Sequence, residues 1–200
     1  MRRGLVEFLS TSLCRLICPK RQDGPAQHLH LPLARQGFSY YVLARAAFRM
    51  QRVPETGNLY HHALEYLMKA QLAKRCTEAE LRNFRHRLKR IWKAFKKDFP
   101  NRRLELAAFD QVVSDVDAFE RLRYPGLGML IVAGWQRPSR QVRTANDPRE
   151  YLLGIQDVDR LVAKLFEVLQ LSPKAVGGPL HPDAQKALEE NNPVASALRT

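Results

Sequence analysis

Residues 77–98 read TEAELRNFRHRLKRIWKAFKKD, and the spacing of their apolar side chains predicts a helix. Leu81, Phe84, Leu88, Ile91, Trp92, Phe95 and Phe99 recur three and four positions apart, the interval that lines one side of an α-helix. Arg82, His86, Lys89, Lys93 and Lys97 fall on the far side, one above another. Thr77 and Glu80 make a capping-box pattern, in which the Thr oxygen accepts a free backbone N–H and the Glu reaches back. The predicted third helix therefore runs from Thr77 to about Asp98, and Pro100 stops it.

The same reading extends to both sides. Tyr40, Leu43, Ala44, Ala47, Phe48 and Met50 predict a first helix over about 34–52, with Arg45, Arg49 and Arg52 on its opposite side. Val53-Pro-Glu-Thr-Gly57 is expected to break the chain, and a second helix then runs from Asn58 to Arg75. Its apolar side is Leu59, Tyr60, Ala63, Leu64, Leu67, Ala70 and Gln71, and His61, His62, Glu65 and Lys69 fall on the other. A fourth helix over about 104–121 would bury Phe109, Val112, Val116 and Phe119. A fifth over about 155–170 would bury Val158, Leu161, Val162, Leu165, Val168 and Leu169. Between them Arg123-Tyr-Pro-Gly126 turns the chain into Met129-Leu-Ile-Val-Ala133, a short strand or a buried extended link. The expected fold is all-α, an up-and-down bundle of four to five helices over residues 34–171, with a possible short strand near 129–133.

Residues 1–33 read as an N-terminal tail and linker. Leu5, Val6, Phe8, Leu9, Leu13, Leu16 and Ile17 follow two arginines, but Glu7 and Arg15 interrupt the apolar stretch, against a signal peptide. Pro and Gly then deny residues 19–33 a regular ladder. Residues 172–200, with Gly177, Gly178, Pro179, Pro182 and Pro193, are expected to form a loose C-terminal tail, with a helical turn near 183–190. No apolar run approaches the roughly 20 residues that a bilayer span needs, so no membrane partner is expected. Three cysteines, Cys14, Cys18 and Cys76, build neither a disulfide framework nor a zinc spacing, and a reducing cytoplasm fits best.

Charge is concentrated in one stretch. The chain carries a formal +13, and residues 35–104 hold 17 Lys/Arg against 5 Asp/Glu. Within 77–98, eight Lys/Arg are offset only by Glu78, Glu80 and Asp98. Like charges at i,i+4 repel, and a face that is only solvated normally interleaves signs. A field of one sign attracts anions, and the usual candidates are nucleic acid, nucleotide phosphates, an acidic partner or an anionic membrane surface.

Three segments in order carry a family resemblance: Asn58-Leu-Tyr-His-His-Ala-Leu-Glu-Tyr-Leu-Met-Lys-Ala70, then His86-Arg-Leu-Lys-Arg-Ile-Trp92, then Arg123-Tyr-Pro125. Over roughly residues 35–170 the chain resembles the HEPN domains, helical bundles of prokaryotic toxin, phage-defence and nucleotidyltransferase-associated proteins. The resemblance implies a homodimer, a possible nucleotidyltransferase-type partner protein, and either plain binding or metal-independent RNA cleavage by an Arg–His pair. Carried over, His86 takes the histidine, Arg82 the arginine, Asn83 the polar residue that follows it, and Glu65 and Lys69 the supporting positions on the second helix. Arg82 precedes His86 with three intervening residues, one fewer than the active pattern. Arg21 to His28 matches that pattern but lies in the Pro/Gly linker.

An imidazole can move a proton to or from an RNA 2′-hydroxyl, and a guanidinium can stabilise the charged phosphorus centre. On a continuous helix the i,i+4 spacing would put Arg82 and His86 side by side. Because the strict spacing is missing while the basic face is present, the expected function is a non-catalytic module that binds RNA or nucleotide. Its expected binding residues are Arg82, Arg85, His86, Lys89, Arg90, Lys93 and Lys97. The alternatives are a metal-independent ribonuclease and a protein-interaction scaffold. No cofactor is expected, and no metal: adjacent His61 and His62 point about 100° apart on a helix, and no Cys or Asp joins them at ligand spacing. Tetratricopeptide packing is rejected, since no second copy recurs at the roughly 34-residue period of such repeats.

Overall fold

The computed structural model describes residues 24–123, 129–139 and 147–199. The readings that fell on Cys14, Cys18, Arg21, the N-terminal apolar stretch and the turn at 124–126 lie outside the described residues. Among the described residues the chain is mainly helical. It runs α1 (His30–Arg49), α2 (Val53–Leu72), α3 (Glu78–Asn83), α4 (Leu88–Lys97), α5 (Arg103–Ala107) and α6 (Asp110–Ala118). A 3-10 turn over Phe119–Arg123 leads towards β1 (Met129–Gly134) and β2 (Arg149–Gly154). The chain closes with α7 (Ile155–Leu169), α8 (Pro173–Gly177), α9 (Pro182–Glu189) and α10 (Ala195–Leu198).

The pair α1 and α2 is the centre of the bundle. A link of only three residues joins them, with Gln51 in the left-handed region at φ 59°. The two approach tightly at Gly37, where a Cβ would meet Leu67 Cγ at 2.8 Å and the Ala63 carbonyl oxygen at 3.0 Å. α1 begins earlier than the apolar pattern indicates, because His30 Nδ1 donates to the Ala70 carbonyl at 2.8 Å and ties the linker's end to α2. The segment expected to break the chain instead opens α2. Pro54 sits in the first turn, where a missing N–H costs nothing, and Thr56 Oγ1 donates to the Arg52 carbonyl at 2.7 Å.

The phase of α1 also departs from the expectation. Leu43 and Met50, read as core, are 54% and 72% exposed, whereas Arg45, read as part of the exposed side, is fully buried. A buried guanidinium survives only with a full set of acceptors. Arg45 finds Asp159 Oδ2 of α7 at 2.5 Å, the Ala187 carbonyl at 2.7 Å and the Glu190 carbonyl. Residues 172–199, read as a loose tail, thus carry three short helices, and α8 and α9 pack on α1. Val176, Ala187, Leu188 and Leu198 are buried there.

One core joins these layers. Leu64, Leu67, Leu88, Ile91 and Phe95 are fully buried in it, and Phe48 packs at its edge. β1 and β2 pair in parallel, Met129 opposite Arg149 and Gly134 opposite Gly154. The first strand follows the apolar run at 129–133, while the second was not anticipated. The fourth predicted helix is divided into α5, α6 and the 3-10 turn, and the fifth, α7, ends at left-handed Gln170 (φ 55°) close to the expected boundary. No helix of the described residues is long and apolar enough to cross a membrane.

Candidate functional site

The predicted third helix is two helices. Thr77 forms the expected capping box, accepting from the Glu80 N–H at 3.2 Å while Glu80 Oε2 accepts from the Thr77 N–H at 2.8 Å. After Asn83 the helix stops, with Arg85 left-handed at φ 50°, and α4 restarts at Leu88. A break of this kind frees backbone carbonyls that the helix would have satisfied. Two side chains of α2 take them up. Lys69 Nζ donates to the Arg85 carbonyl at 2.9 Å, and His61 Nε2 lies 3.0 Å from the His86 carbonyl. A carbonyl only accepts, so the His61 hydrogen is on Nε2. Burial holds His61 below its ordinary value, with Glu120 and Glu65 opposing, and keeps it neutral.

The same turn brings His86 onto α2. Its Nδ1 lies 2.9 Å from Oε2 of Glu65, a buried carboxylate whose Oε1 receives Lys69 Nζ at 2.6 Å. Burial pushes the Glu65 carboxyl up, but hydrogen bonds from His62, Lys69 and His86 outweigh it and hold the group at about 2. Glu65 is therefore ionised at neutral pH, and Nδ1 of His86 is the donor. A neutral His86 then carries its lone pair on Nε2, on a side chain that is 52% exposed.

His62, one helical turn before Tyr66, completes the cluster. Its Nδ1 is 3.8 Å from Glu65 Oε2, and its ring centroid is 6.0 Å from that of His86. Tyr40 of α1 packs on the His62 ring at 5.3 Å and stacks on Tyr66 at 5.6 Å. This convergence corrects the side assigned to His61, which faces inward, and adds His62, Tyr40 and Tyr66 to the site. The signal available for His62 was its i,i+3 relation to Glu65 on one helix. Its relation to His86 is tertiary.

Arg82 does not join His86. With residues 84–87 out of the helix there is no common face, and Arg82 Nη2 instead holds Glu78 Oε2 at 2.8 Å at the exposed surface. Asn83, the last residue of α3, and Arg85, on the turn, are exposed, and Arg90 lies over the Phe84 ring at 5.5 Å while reaching the Asn83 carbonyl.

Lys89, Lys93 and Lys97 keep the expected arrangement along α4, all exposed. Together with Lys96 and Arg103 they line a groove of about 670 Å³ whose floor includes Trp92, Pro100 and Val113. Asp110 is the only acid among its lining residues. That acid is occupied: Trp92 Nε1 donates to Asp110 Oδ1 at 2.6 Å and Lys96 Nζ at 2.5 Å. Lys89, Lys93, Lys97 and Arg103 remain as a row of cations around an apolar floor. Lys96 and Arg103 escaped the sequence reading, Lys96 because it flanks the predicted face and Arg103 because it comes from the next helix.

Comparison with protein-family models, with curated proteins and with solved structures returns no match for this chain.

Proposed function

We propose that this chain is a HEPN-like helical module that binds RNA or a nucleotide through the basic groove of α4, without cleaving it. The observation that carries the reading is the groove itself, where Lys89, Lys93, Lys97 and Arg103 surround an apolar floor and the single acid is already paired. Lysines four apart on a helix stand about 6 Å from one another along its axis, a ladder of point charges suited to successive phosphates. Arg85 and Arg90 beside the turn extend the positive field. The cytoplasm is the compartment this function implies, and a second copy of the chain and a nucleotidyltransferase-type protein are the partners the resemblance suggests.

A metal-independent ribonuclease is the second reading, favoured by one contact: Glu65 orients the His86 ring so that Nε2 is left for proton transfer. Against it stands Arg82, engaged by Glu78 rather than by the site.

Fluorescence anisotropy with labelled single-stranded RNA over a salt series tests the binding. For single strands the slope of log K against log salt is about −0.7 per neutralised phosphate. The Lys89→Ala/Lys93→Ala protein is expected to flatten the slope by about 1.4 and to weaken all sequences alike. Unchanged affinity and slope would return α4 to an ordinary solvated face. In the same samples with EDTA, intact RNA supports the binding module. Cleavage by the wild type that vanishes in His86→Ala supports the ribonuclease.

A further inference from the structure

His62, Glu65 and His86 offer three ligand atoms that all lie within 4.8 Å of one another. We propose that these residues form a zinc(II) site on the surface of α2, a function separate from anion binding in the α4 groove.

The donor set is the first reason. Two imidazoles and one carboxylate, with a position left open, is a set that zinc accepts. Zinc bonds of about 2.0–2.2 Å in a tetrahedral shell put donors about 3.4 Å apart. Glu65 Oε2 stands 2.9 Å from His86 Nδ1 and 3.8 Å from His62 Nδ1, values on either side of that spacing. The third separation also lies within 4.8 Å; zinc has no geometric preference from its d electrons, so movement of the His62 and His86 rings towards a common point closes the shell.

The support around the donors is the second reason. Ligands hold an ion when other groups fix them. Lys69 Nζ occupies Oε1 of Glu65 and leaves Oε2 to the ion. His61 and Lys69 anchor the carbonyls on either side of the His86 backbone turn. Tyr40 and Tyr66 pack against the His62 ring. Binding replaces the hydrogen bonds that His86 and His62 make to Glu65: in each ring the Nδ1 hydrogen leaves, Nε2 takes one up, and the neutral imidazole ligates through Nδ1. With half of the His86 side chain exposed, the fourth position takes water.

The test is calorimetric titration of zinc chloride into the full chain, free of any affinity tag. One ion per chain is expected, with affinity falling by more than about tenfold in His62→Ala and in His86→Ala. His181→Ala, at an exposed histidine beside Asp183 at the start of α9, is expected to leave it unchanged. Cobalt(II) added to the wild type reads the site without any substitution, and is expected to broaden the ring signals of His62 and His86 selectively. No saturable uptake, uptake unaltered in both variants, or broadening centred on other histidines would each overturn the site. Since Lys89 and Lys93 are not ligands, Lys89→Ala/Lys93→Ala should keep its zinc whether or not it binds RNA, so the two readings fail separately.

Discussion

Gly57 occupies a position where no other side chain fits. A Cβ there would lie 1.9 Å from Phe119 Cδ1, and Phe119 is fully buried under β2, its ring edge-on to Tyr151 at 5.9 Å. The ring cannot swing away into solvent, so the backbone of α2 or the turn at 119–123 would have to move. Overpacking of this kind costs about 1–3 kcal/mol. Gly57→Ala is expected to lower the urea midpoint, by that cost less the roughly 1 kcal/mol by which alanine favours helices over glycine. A midpoint equal to or above that of the wild type would mean that Phe119 is not seated on α2. Burial likewise decides the chemistry of the histidines: His61 is kept neutral and structural, whereas His86, 25 residues later, stands at the surface on a carboxylate held at about 2.

At the scale of elements, α4 owes its place to one stripe. Leu88, Ile91 and Phe95 are fully buried and Trp92 is nearly so, while the lysines between them line the groove. Leu88 begins the helix directly after the turn that carries His86, so its anchoring holds both the groove and the turn. Leu88→Ala is expected to cost about 2–5 kcal/mol, as large-to-small changes in a core do. Denaturant unfolding checks it, and an unchanged midpoint would reject the packing of α4 on α2. The division between α3 and α4 has a physical cause in the same neighbourhood. A continuous helix would direct the carbonyls of Arg85 and His86 along its own axis, out of reach of Lys69 and His61. It would also leave Glu65 buried without its His86 contact. The turn pairs six polar groups of α2 and the turn together, which compensates the lost helical bonds.

Across the whole molecule, the Arg45–Asp159 pair ties the first helix to the segment that closes the described chain. It connects α1 to α7, and through the Ala187 and Glu190 carbonyls it secures the segment around α9. Tyr41 adds its hydroxyl to Asp159 Oδ1 at 2.8 Å and receives Asn192 Nδ2 at 3.0 Å. Removing one member of a buried pair strands the other in a low dielectric at about 3–5 kcal/mol. Arg45→Met should therefore be strongly destabilising and should raise amide exchange over residues 182–198, while the Arg45→Met/Asp159→Leu protein recovers most of the loss. Exchange confined to α1 in the single variant would show that the C-terminal helices are held by their apolar contacts alone.

Near neighbours in the sequence determined the helical character of the chain, the capping box at Thr77, the apolar stripes of α4 and α7 and the concentration of cations between 35 and 104. Helix periodicity and caps depend on residues three and four apart, so they are legible without the fold. The selection of Glu65, Lys69 and His86 as one neighbourhood came from the family resemblance, and the three do meet. Tertiary structure alone decided the rest. Arg45 looks like a surface residue until Asp159, 114 positions later, supplies its charge partner. The second strand has no partner until β1 lies beside it. The turn at 84–87 interrupts an unbroken apolar stripe because polar groups of α2 bond its carbonyls, and that interruption separates Arg82 from His86 while bringing His86 to His62 and Glu65. Periodicity reports which side of a helix is apolar; it carries no information about distant polar groups that make a break in that helix, or a buried charge, the lower-energy arrangement.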